Sequence, residues 1–500
     1  MELFINGIRY PLESPSPDMT LLRFLRTEAG LKGTKEGCAS GDCGACTVLV
    51  GDGKSVPVTV NSCIALLGSM DGMHIYTVDG LAEMVSVDDA KGLHPAQQSM
   101  VDCHGSQCGF CTPGFVMSLA GLMEKQCSNK KTSATREEIL DAISGNLCRC
   151  TGYRPIVEAG VKMFELAQCP SLTDLENGAQ PNGKPQNDAQ PESSFDSVVG
   201  YFMPKTEKEL AALIAEHSDA QFVAGGTDKV LEITQQFSQP TKIIDLGQVV
   251  ELTGISRDQG YLVIGAAATY SEIEQHCAEL MPEFISLLHR LGSRQIRNRG
   301  TMGGNIANGS PIADTPPALF IWEAELELVK SGGKRLRVPI NDFYLGYRKT
   351  LIEKGDYLSA IRIPLENLSS PYRLYKISKR YEDDISAVMG AFALEFEDDR
   401  PVSARIAYGG MAATPVRAPK TEAFLLSEEL PENWLDEAVA ILASEFTPMT
   451  DVRATAAYRR EVAANLLYKA VANIRDGATF DPYDDAYRNG ADVWMEAPNA

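Results

Sequence analysis

Glu36-Gly37-Cys38-Ala39-Ser40-Gly41-Asp42-Cys43-Gly44-Ala45-Cys46 is the stretch from which the rest of the chain is read. Its three cysteines are interleaved with glycines, and a fourth, Cys63, follows after sixteen intervening residues. Three thiolates can point inward from one short loop only if the backbone folds around them, and Gly37, Gly41 and Gly44 supply that freedom. The flanks alternate like strands. Leu3-Phe4-Ile5 and Ile8-Arg9-Tyr10 bracket Asn6-Gly7, the strongest two-residue hairpin signal. Residues 46–50 and 56–60 bracket Gly51-Asp52-Gly53 as a second hairpin, and residues 74–78 read as a further strand. Thr20 is placed to cap a helix through Leu25, with Gly30 to end it. A small mixed sheet with one helix is expected over residues 1–90.

Cys38-x4-Cys43-x2-Cys46 is the spacing of plant-type [2Fe–2S] ferredoxins. A glycine-rich loop also leaves N–H groups free to donate to the sulfurs, which tunes a cluster's potential. A four-cysteine zinc site is the other chemistry open to these thiolates, although zinc more often takes pairs of Cys-x2-Cys knuckles.

Working outward, a second group appears: Cys108-Gly109-Phe110-Cys111 and Cys148-Arg149-Cys150. Each precedes a helical pattern, with Thr112-Pro113 and Thr151 as expected caps, and the two Cys-Thr openings look like a faint duplication. Thiolates gathered at two helix N-termini would meet positive dipole ends, an environment suited to an anionic cluster. Zinc stays open here too. Amphipathic segments at 115–119, 136–143 and 156–161 predict a helical domain over residues 91–168. Cys103, Cys127, Cys169 and Cys277 fall outside both groups and are expected to be small buried hydrophobes.

Residues 169–195 carry Pro170, Pro181, Pro185 and Pro191 among Asn, Gln, Ser and Gly, and read as a linker. Beyond it, strands and helices alternate again. Phe222-Val223-Ala224-Gly225-Gly226-Thr227-Asp228 is a strand running into a glycine pair. Thr301-Met302-Gly303-Gly304-Asn305 is a second glycine loop, followed by Ser310-Pro311-Ile312-Ala313-Asp314. Neither matches the Rossmann GxGxxG pattern. Two such loops converging on one ligand suit a long dinucleotide, because backbone N–H groups can then approach a pyrophosphate unobstructed. A change near Pro371 opens a segment of strands such as 391–396, completed by helices at 435–446 and 455–471.

Composition narrows the classes. At roughly 100–200 residues per domain, 500 residues imply about three to five domains. With 44% hydrophobic and 23% charged residues the chain has ordinary globular composition. Its 46 Lys+Arg against 67 Asp+Glu, net −21, argue against nucleic-acid binding. No run approaches the roughly 18 apolar residues of a membrane span, and the N-terminus lacks a secretory pattern. A cytoplasmic protein is expected. Twelve cysteines are too few for a disulfide scaffold, and their grouping points to metal. Six histidines, none in an HExxH spacing, offer no zinc-hydrolase site.

The motifs Glu36–Cys46, His104–Gly114 and Gly145–Pro155 together resemble the xanthine dehydrogenase family of molybdenum hydroxylases, and the likeness extends over nearly the whole chain. The resemblance implies an α+β multidomain architecture. A β-grasp ferredoxin domain spans 1–90, a four-helix cluster domain 91–168 and a linker 169–195. An FAD-binding domain of the PCMH/vanillyl-alcohol-oxidase type spans 196–370, a C-terminal domain like that of CO dehydrogenase flavoproteins 371–480, and a tail 481–500. It implies one [2Fe–2S] cluster on Cys38, Cys43, Cys46 and Cys63, and another on Cys108, Cys111, Cys148 and Cys150. For FAD it implies Phe222, Val223, Ala224, Gly225, Gly226, Thr227, Asp228 and Lys229 with Thr301, Met302, Gly303, Gly304 and Asn305 around the pyrophosphate and ribityl chain. Asp314, Leu358 and Lys376 match further flavin positions. Leu291 falls where some members place an aromatic against the ring. Gln107 is a candidate for the molybdopterin interface, and Glu382-Asp383-Asp384 resembles an acidic loop near the nicotinamide site. Tyr408–Met411 and Asp451–Ala454 match as architecture.

The resemblance further implies an oxidoreductase in which electrons leave molybdenum, cross the helical-domain cluster and then the ferredoxin-like cluster, and reach FAD and finally NAD+. The family's substrate chemistry needs a large molybdopterin domain. A split enzyme is therefore expected: this chain as iron–sulfur/flavin subunit, a molybdopterin subunit oxidising hypoxanthine or xanthine to urate as its partner, and a heterotetramer of two such pairs. The alternatives are a stand-alone NADH-oxidising reductase, the corresponding subunit of an aldehyde oxidoreductase, or a zinc-binding structural protein.

Overall fold

The computed structural model describes residues 1–13, 15–82, 92–166, 200–381 and 383–475. The expected linker, the tail, Cys169 and Glu382 lie outside them. The fold is α+β throughout. Glu2–Ile5 and Ile8–Pro11 form the N-terminal hairpin, with Asn6 (φ 50°) and Gly7 (φ 78°) both left-handed at its turn, as a tight hairpin of this twist requires. The sheet order runs Ile8–Pro11, Glu2–Ile5, His74–Tyr76, Thr47–Gly51, Val58–Asn61, with Glu2–Ile5 parallel to His74–Tyr76. The second hairpin strand starts at Val58 rather than Val56, because Pro57 has no N–H to give a ladder. Helix Leu21–Thr27 is capped by Thr20, whose hydroxyl accepts the Arg23 N–H at 3.2 Å.

Four helices follow: Pro95–Asp102, Thr112–Ser128, Arg136–Ile143 and Arg154–Lys162. Both expected threonine caps are corrected. Cys111 occupies the cap position, Thr112 is already helical, and its hydroxyl donates to Ser106 Oγ instead. Tyr153, left-handed at φ 67°, precedes the last helix, which leaves Thr151 short of it. The proline in the second position of each helix supplies the start that a polar cap would otherwise give.

The half expected to hold flavin combines a three-stranded parallel sheet (Tyr201–Phe202, Ile243–Asp245, Gln221–Val223) with a five-stranded antiparallel one built on Tyr357–Pro364. The C-terminal sheet runs Tyr372–Ile377, Val388–Glu397, Arg400–Gly409, Val416–Arg417. Val388–Glu397 is buried on both faces through Leu394. Met389, Ala391 and Ala393 join the flavin-domain core around Trp322, and Val388, Phe392 and Leu394 join the core under helices Trp434–Glu445 and Ala456–Arg475. Tyr408 donates its hydroxyl to Ala463 O, and Asp451 holds Arg459. Among the described residues no helix is long and apolar enough to cross a membrane.

Other cores are shared across the boundaries as well. Leu49 and Tyr76 pack into the helical domain's core, and Leu22, Cys46, Cys63 and Ile64 pack with Tyr201, Val223 and Ile243 of the flavin half. Of the cysteines outside the two groups, Cys277 is buried and Cys103 is half-buried. Cys127 departs from expectation: it is half-buried and disulfide-bonded.

Candidate functional site

The first quartet is assembled by strand register. Thr47 opposes Asn61, so Cys46, just before one strand, and Cys63, just after the other, approach to 3.2 Å between sulfurs. Both are almost fully buried. Cys38 and Cys43 face each other from the loop, whose turns use left-handed Gly41 (φ 84°) and Gly44 (φ 66°). A Cβ on Gly37 would lie 2.9 Å from Cys43 Sγ, so that position accepts glycine alone without moving a thiol. Backbone N–H groups point at the sulfurs: Ser40 N at Cys38 Sγ (3.4 Å) and Ala45 N at Cys43. Donors of this kind stabilise thiolate charge.

The second quartet sits at the head of helix Thr112–Ser128 and in the turn before Arg154–Lys162. Cys108 faces Cys150, and Cys111 faces Cys148. Thr151 serves a sulfur: its N–H reaches Cys148 Sγ at 3.4 Å and its hydroxyl at 3.0 Å. The Cys148 N–H donates to Tyr153 Oη at 2.9 Å. In contrast to the first quartet, its rim is open. Cys108, Cys150 and Gln107 are exposed, beside Phe110 and Leu147, each about half exposed. In both quartets the thiols approach in pairs and are met by N–H donors. This arrangement fits a binuclear iron–sulfur cluster, each iron taking two sulfurs. Among the described residues no three or more His, Cys, Asp or Glu side chains converge on a single metal-ion position.

The two cysteine loops touch. Leu147 N donates to Cys43 O at 3.0 Å, and Asn146 Nδ2 to Gly44 O at 3.1 Å. A Cβ on Gly44 would fall 2.3 Å from Gly145 O, and one on Gly114 would fall 2.2 Å from Gly44 O. Glycine at these positions lets the backbones pack directly.

A cleft of about 750 Å³ opens on the other side of the first loop. Every residue that the sequence assigned to FAD lines it except Met302 and Lys376. Met302 is buried in the core. Lys376 lies behind the wall, its ammonium 2.5 Å from Asp314 and 3.0 Å from Ser386 Oγ, so it holds Asp314 rather than facing the cleft. Leu291 is on the wall, as are Ser40, Gly41 and Asp42 of the cysteine loop. Thr301 caps the short helix Met302–Ala307 through Gly304 N. A Cβ on Gly225 would sit 1.7 Å from Arg299 O, so the two glycine loops lie backbone to backbone. Gly226 is left-handed at φ 76°. The cleft's volume and its two glycine rims fit a dinucleotide.

The acidic loop divides. Asp384 accepts from Arg380 N and its guanidinium, a local turn role. Asp383 lines the cleft, and burial pushes its carboxyl up to about 6 despite the charge of Arg297.

Sequence reasoning missed the segment Ser293–Arg299, which leads into the second glycine loop. Gln295 Nε2 is within 3.1–3.3 Å of Thr47 Oγ1, Ser118 Oγ and Asn146 Oδ1. Arg294 and Arg297 each reach Asp141 at 2.5 Å. Asn298 donates to Thr59 O, and Arg299 to Gly225 O and Ser69 Oγ. The available signal was three arginines around a buried-type Gln-Ile pair beside a glycine loop.

The sequence matches four family models: a 2Fe-2S iron-sulfur cluster binding domain over residues 3–66, a [2Fe-2S] binding domain over 77–161, an FAD binding domain in molybdopterin dehydrogenase over 194–366, and a CO dehydrogenase flavoprotein C-terminal domain over 373–474. The chain is 32% identical to xanthine dehydrogenase 1 of Arabidopsis thaliana, with 89% of this chain and 37% of that protein aligned. It is 32% identical to xanthine dehydrogenase of Drosophila pseudoobscura pseudoobscura, with 94% and 39% aligned. The chain thus spans less than two fifths of the length of these relatives. Among solved structures, reconstituted CO dehydrogenase from Oligotropha carboxidovorans matches with a TM-score of 0.52 at 30% identity, covering 58% of this chain and all of that one. Quinoline 2-oxidoreductase from Pseudomonas putida 86 matches with a TM-score of 0.51 at 26% identity, covering 57% and 99%.

Proposed function

Because the chain belongs to the molybdenum hydroxylase family, as an iron–sulfur and FAD-binding member of it, we propose that it is the electron-transfer subunit of a xanthine dehydrogenase. A separate molybdopterin subunit oxidises hypoxanthine and xanthine to urate, and this chain carries the electrons to NAD+. Flavin exchanges hydride with nicotinamide and single electrons with iron–sulfur clusters, so the pair converts two-electron to one-electron chemistry.

One observation carries the reading: the three candidate centres stand in series within one packed unit. The second quartet has an open rim at Cys108 and Cys150. Its loop is hydrogen-bonded through Leu147 to Cys43 of the first quartet, whose Cys46 and Cys63 are buried and whose Cys38 and Cys43 are half-buried. Ser40–Asp42 of that first loop form a wall of the flavin cleft. An open edge at one end and a dinucleotide cleft at the other favour a relay that takes electrons from a partner protein over a self-contained reductase. In this reading the protein's own residues act as holders. Backbone N–H groups stabilise thiolate charge, the glycine loops admit the pyrophosphate, and Asp314 is fixed by Lys376 and Ser386. The assembly is a heterotetramer of two subunit pairs, with Gln107 at the molybdopterin interface.

The test is isolation of the native complex. Flavin and iron–sulfur absorption, a co-purifying molybdenum subunit and NAD+-dependent urate formation are expected. A chain that runs alone and turns over NADH with a soluble acceptor would overturn the xanthine dehydrogenase reading.

A further inference from the structure

The segment Ser293–Arg299 is the one stretch among the described residues whose side chains touch both cysteine domains while its backbone borders the flavin cleft. The contacts of Gln295 and Ile296 fall beside the cysteine loops. Thr47, a partner of Gln295, adjoins Cys46, and Asn146, another partner, lies two residues before Cys148. Ile296 packs toward the cysteine loop, where a Cβ on Gly41 would lie 3.2 Å from its Cδ1. Ser293 and Ile296 line the cleft, and so do Gly300 and Thr301 immediately beyond.

The chemistry of these contacts is directional and buried. Gln295 is 1% exposed, and its amide nitrogen, with two hydrogens, is shared among three acceptors from two domains. Among the described residues its buried Oε1 meets no hydrogen-bond partner, a cost retained where the surroundings over-determine the side chain. Arg297 is fully buried. With Arg294 it clamps Asp141 of the helical domain, and Arg294 also clamps Glu274 of the flavin domain. Apolar packing tolerates sliding, whereas bidentate pairs and a shared amide fix distance and angle.

We infer that Ser293–Arg299, with Gln295 at its centre, is the positioning element that sets the spacing of the two clusters and the flavin relative to one another. It is not a catalytic residue set: none of its side chains is required to touch a reacting atom. The inference rests on the functional reading above. Electron transfer falls steeply with separation, so a joint that holds three centres in register governs their mutual rates without contributing to any one of them.

The experiment uses the native complex carrying Gln295→Leu, and separately Asp141→Asn. The second is an isosteric change at a partly exposed position, which keeps the test available if the first fails to fold. Iron and flavin content, the splitting between the two cluster EPR signals, and the rate of flavin reduction by the clusters are measured. Retained cofactors, a changed inter-cluster splitting and cluster-to-flavin transfer slowed about tenfold or more are expected, as for other losses of positioning. Direct reduction of the flavin by NADH, which does not cross the joint, should stay within about twofold. Unchanged splitting and transfer in a fully loaded variant would overturn the inference alone. Wild-type complex lacking either cluster signal would overturn the functional reading, and this inference with it.

Discussion

The two cysteine quartets hold the same number of thiols in opposite settings. The first is the more enclosed, set against a sheet, a flavin-domain face and a neighbouring loop, with Cys46 at 1% and Cys63 at 3% exposure and Cys38 and Cys43 half-buried. The second hangs on helix starts, with two of its four cysteines in solvent. Thiol chemistry is common to both, so the contrast lies in what surrounds them. An enclosed centre relays between neighbours within the chain. An open one can exchange electrons with something outside it. The comparison also predicts that equal substitutions have unequal consequences.

The largest expected difference is at the ligands themselves. Cys46→Ser should abolish the first cluster's EPR signal and lower the melting temperature as well, because its sulfur sits in a core with Leu22, Ile64 and Val223. Cys108→Ser should abolish the second signal and lower the melting temperature less, because its exposed side chain fills no core and only the loss of the cluster's cross-link is felt. The glycines sharpen the contrast. Gly37→Ala drives a methyl within 2.9 Å of Cys43 Sγ, whereas at Gly109 the nearest atom is 4.0 Å away. Gly109→Ala then meets only the strain of φ 82°, about 1 kcal/mol, and should keep its cluster. Loss of the same signal in both cysteine variants would dissolve the grouping.

Next comes the cleft that the first loop borders. Gly225→Ala would place a methyl 1.7 Å from Arg299 O, a backbone atom that cannot swing aside. Flavin content should fall several-fold while iron is retained. Gly226→Val should act in the same direction through its left-handed φ. Stoichiometric flavin in the Gly225 variant would show that the two loops do not jointly hold it.

How much of this was legible follows the range of the physics involved. The hairpin at Asn6-Gly7, the Thr20 cap and the strand at 391–396 are set by neighbours a few residues away, and a sequence displays them. The quartets were legible because most of their thiols fall in tight local groups, Cys38–Cys46, Cys108–Cys111 and Cys148–Cys150. The caps at Thr112 and Thr151 mislead because a threonine at a helix start has more than one acceptor or donor within reach, and here the hydroxyls bind Ser106 and Cys148 instead. Ser293–Arg299 was invisible for a different reason. Gln295 meets residues 149, 177 and 248 positions away, and nothing in the local pattern announces such partners. Lys376 shows the intermediate case, a residue correctly brought to the cleft's neighbourhood but spent on Asp314.

A smaller effect separates the quartets by potential. A cluster-ligating Cys148 thiolate has no hydrogen to give, so in the 3.0 Å contact the Thr151 hydroxyl is the donor to Sγ while its oxygen accepts from Tyr153 N. Thr151→Val removes a donor that favours the more negative, reduced state. The second cluster's potential should fall by about 40 mV, the one-electron equivalent of roughly 1 kcal/mol, and the first should stay unchanged. An equal shift in both would mean that the threonine acts through the fold and not on the sulfur.

The smallest expected effect concerns pH, which reaches the enclosed side through Asp383. Burial raises its carboxyl to about 6. Arg297 and Lys376 lower it, and Asp141 and Asp42 raise it. Below that pH the group is neutral, and above it the carboxylate stands on the wall of the flavin cleft. A negative charge there disfavours adding electrons to the flavin. At pH 5 wild type and Asp383→Asn should therefore share one flavin potential. At pH 8 the variant should lie higher, by about 20 mV for a two-electron couple if the charge contributes roughly 1 kcal/mol across the cleft. The folded-state carboxyl is raised, so its contribution to stability is present at acid pH and lost as pH rises through about 6. Thermal melts should show that loss in wild type and not in the variant. Among the described residues no buried carboxylate acts on the thiols of the second quartet, and its potential should not follow this profile. A second-cluster potential that tracked Asp383 would mean that the field of one region reaches the other, and the division between enclosed and open centres would then fail.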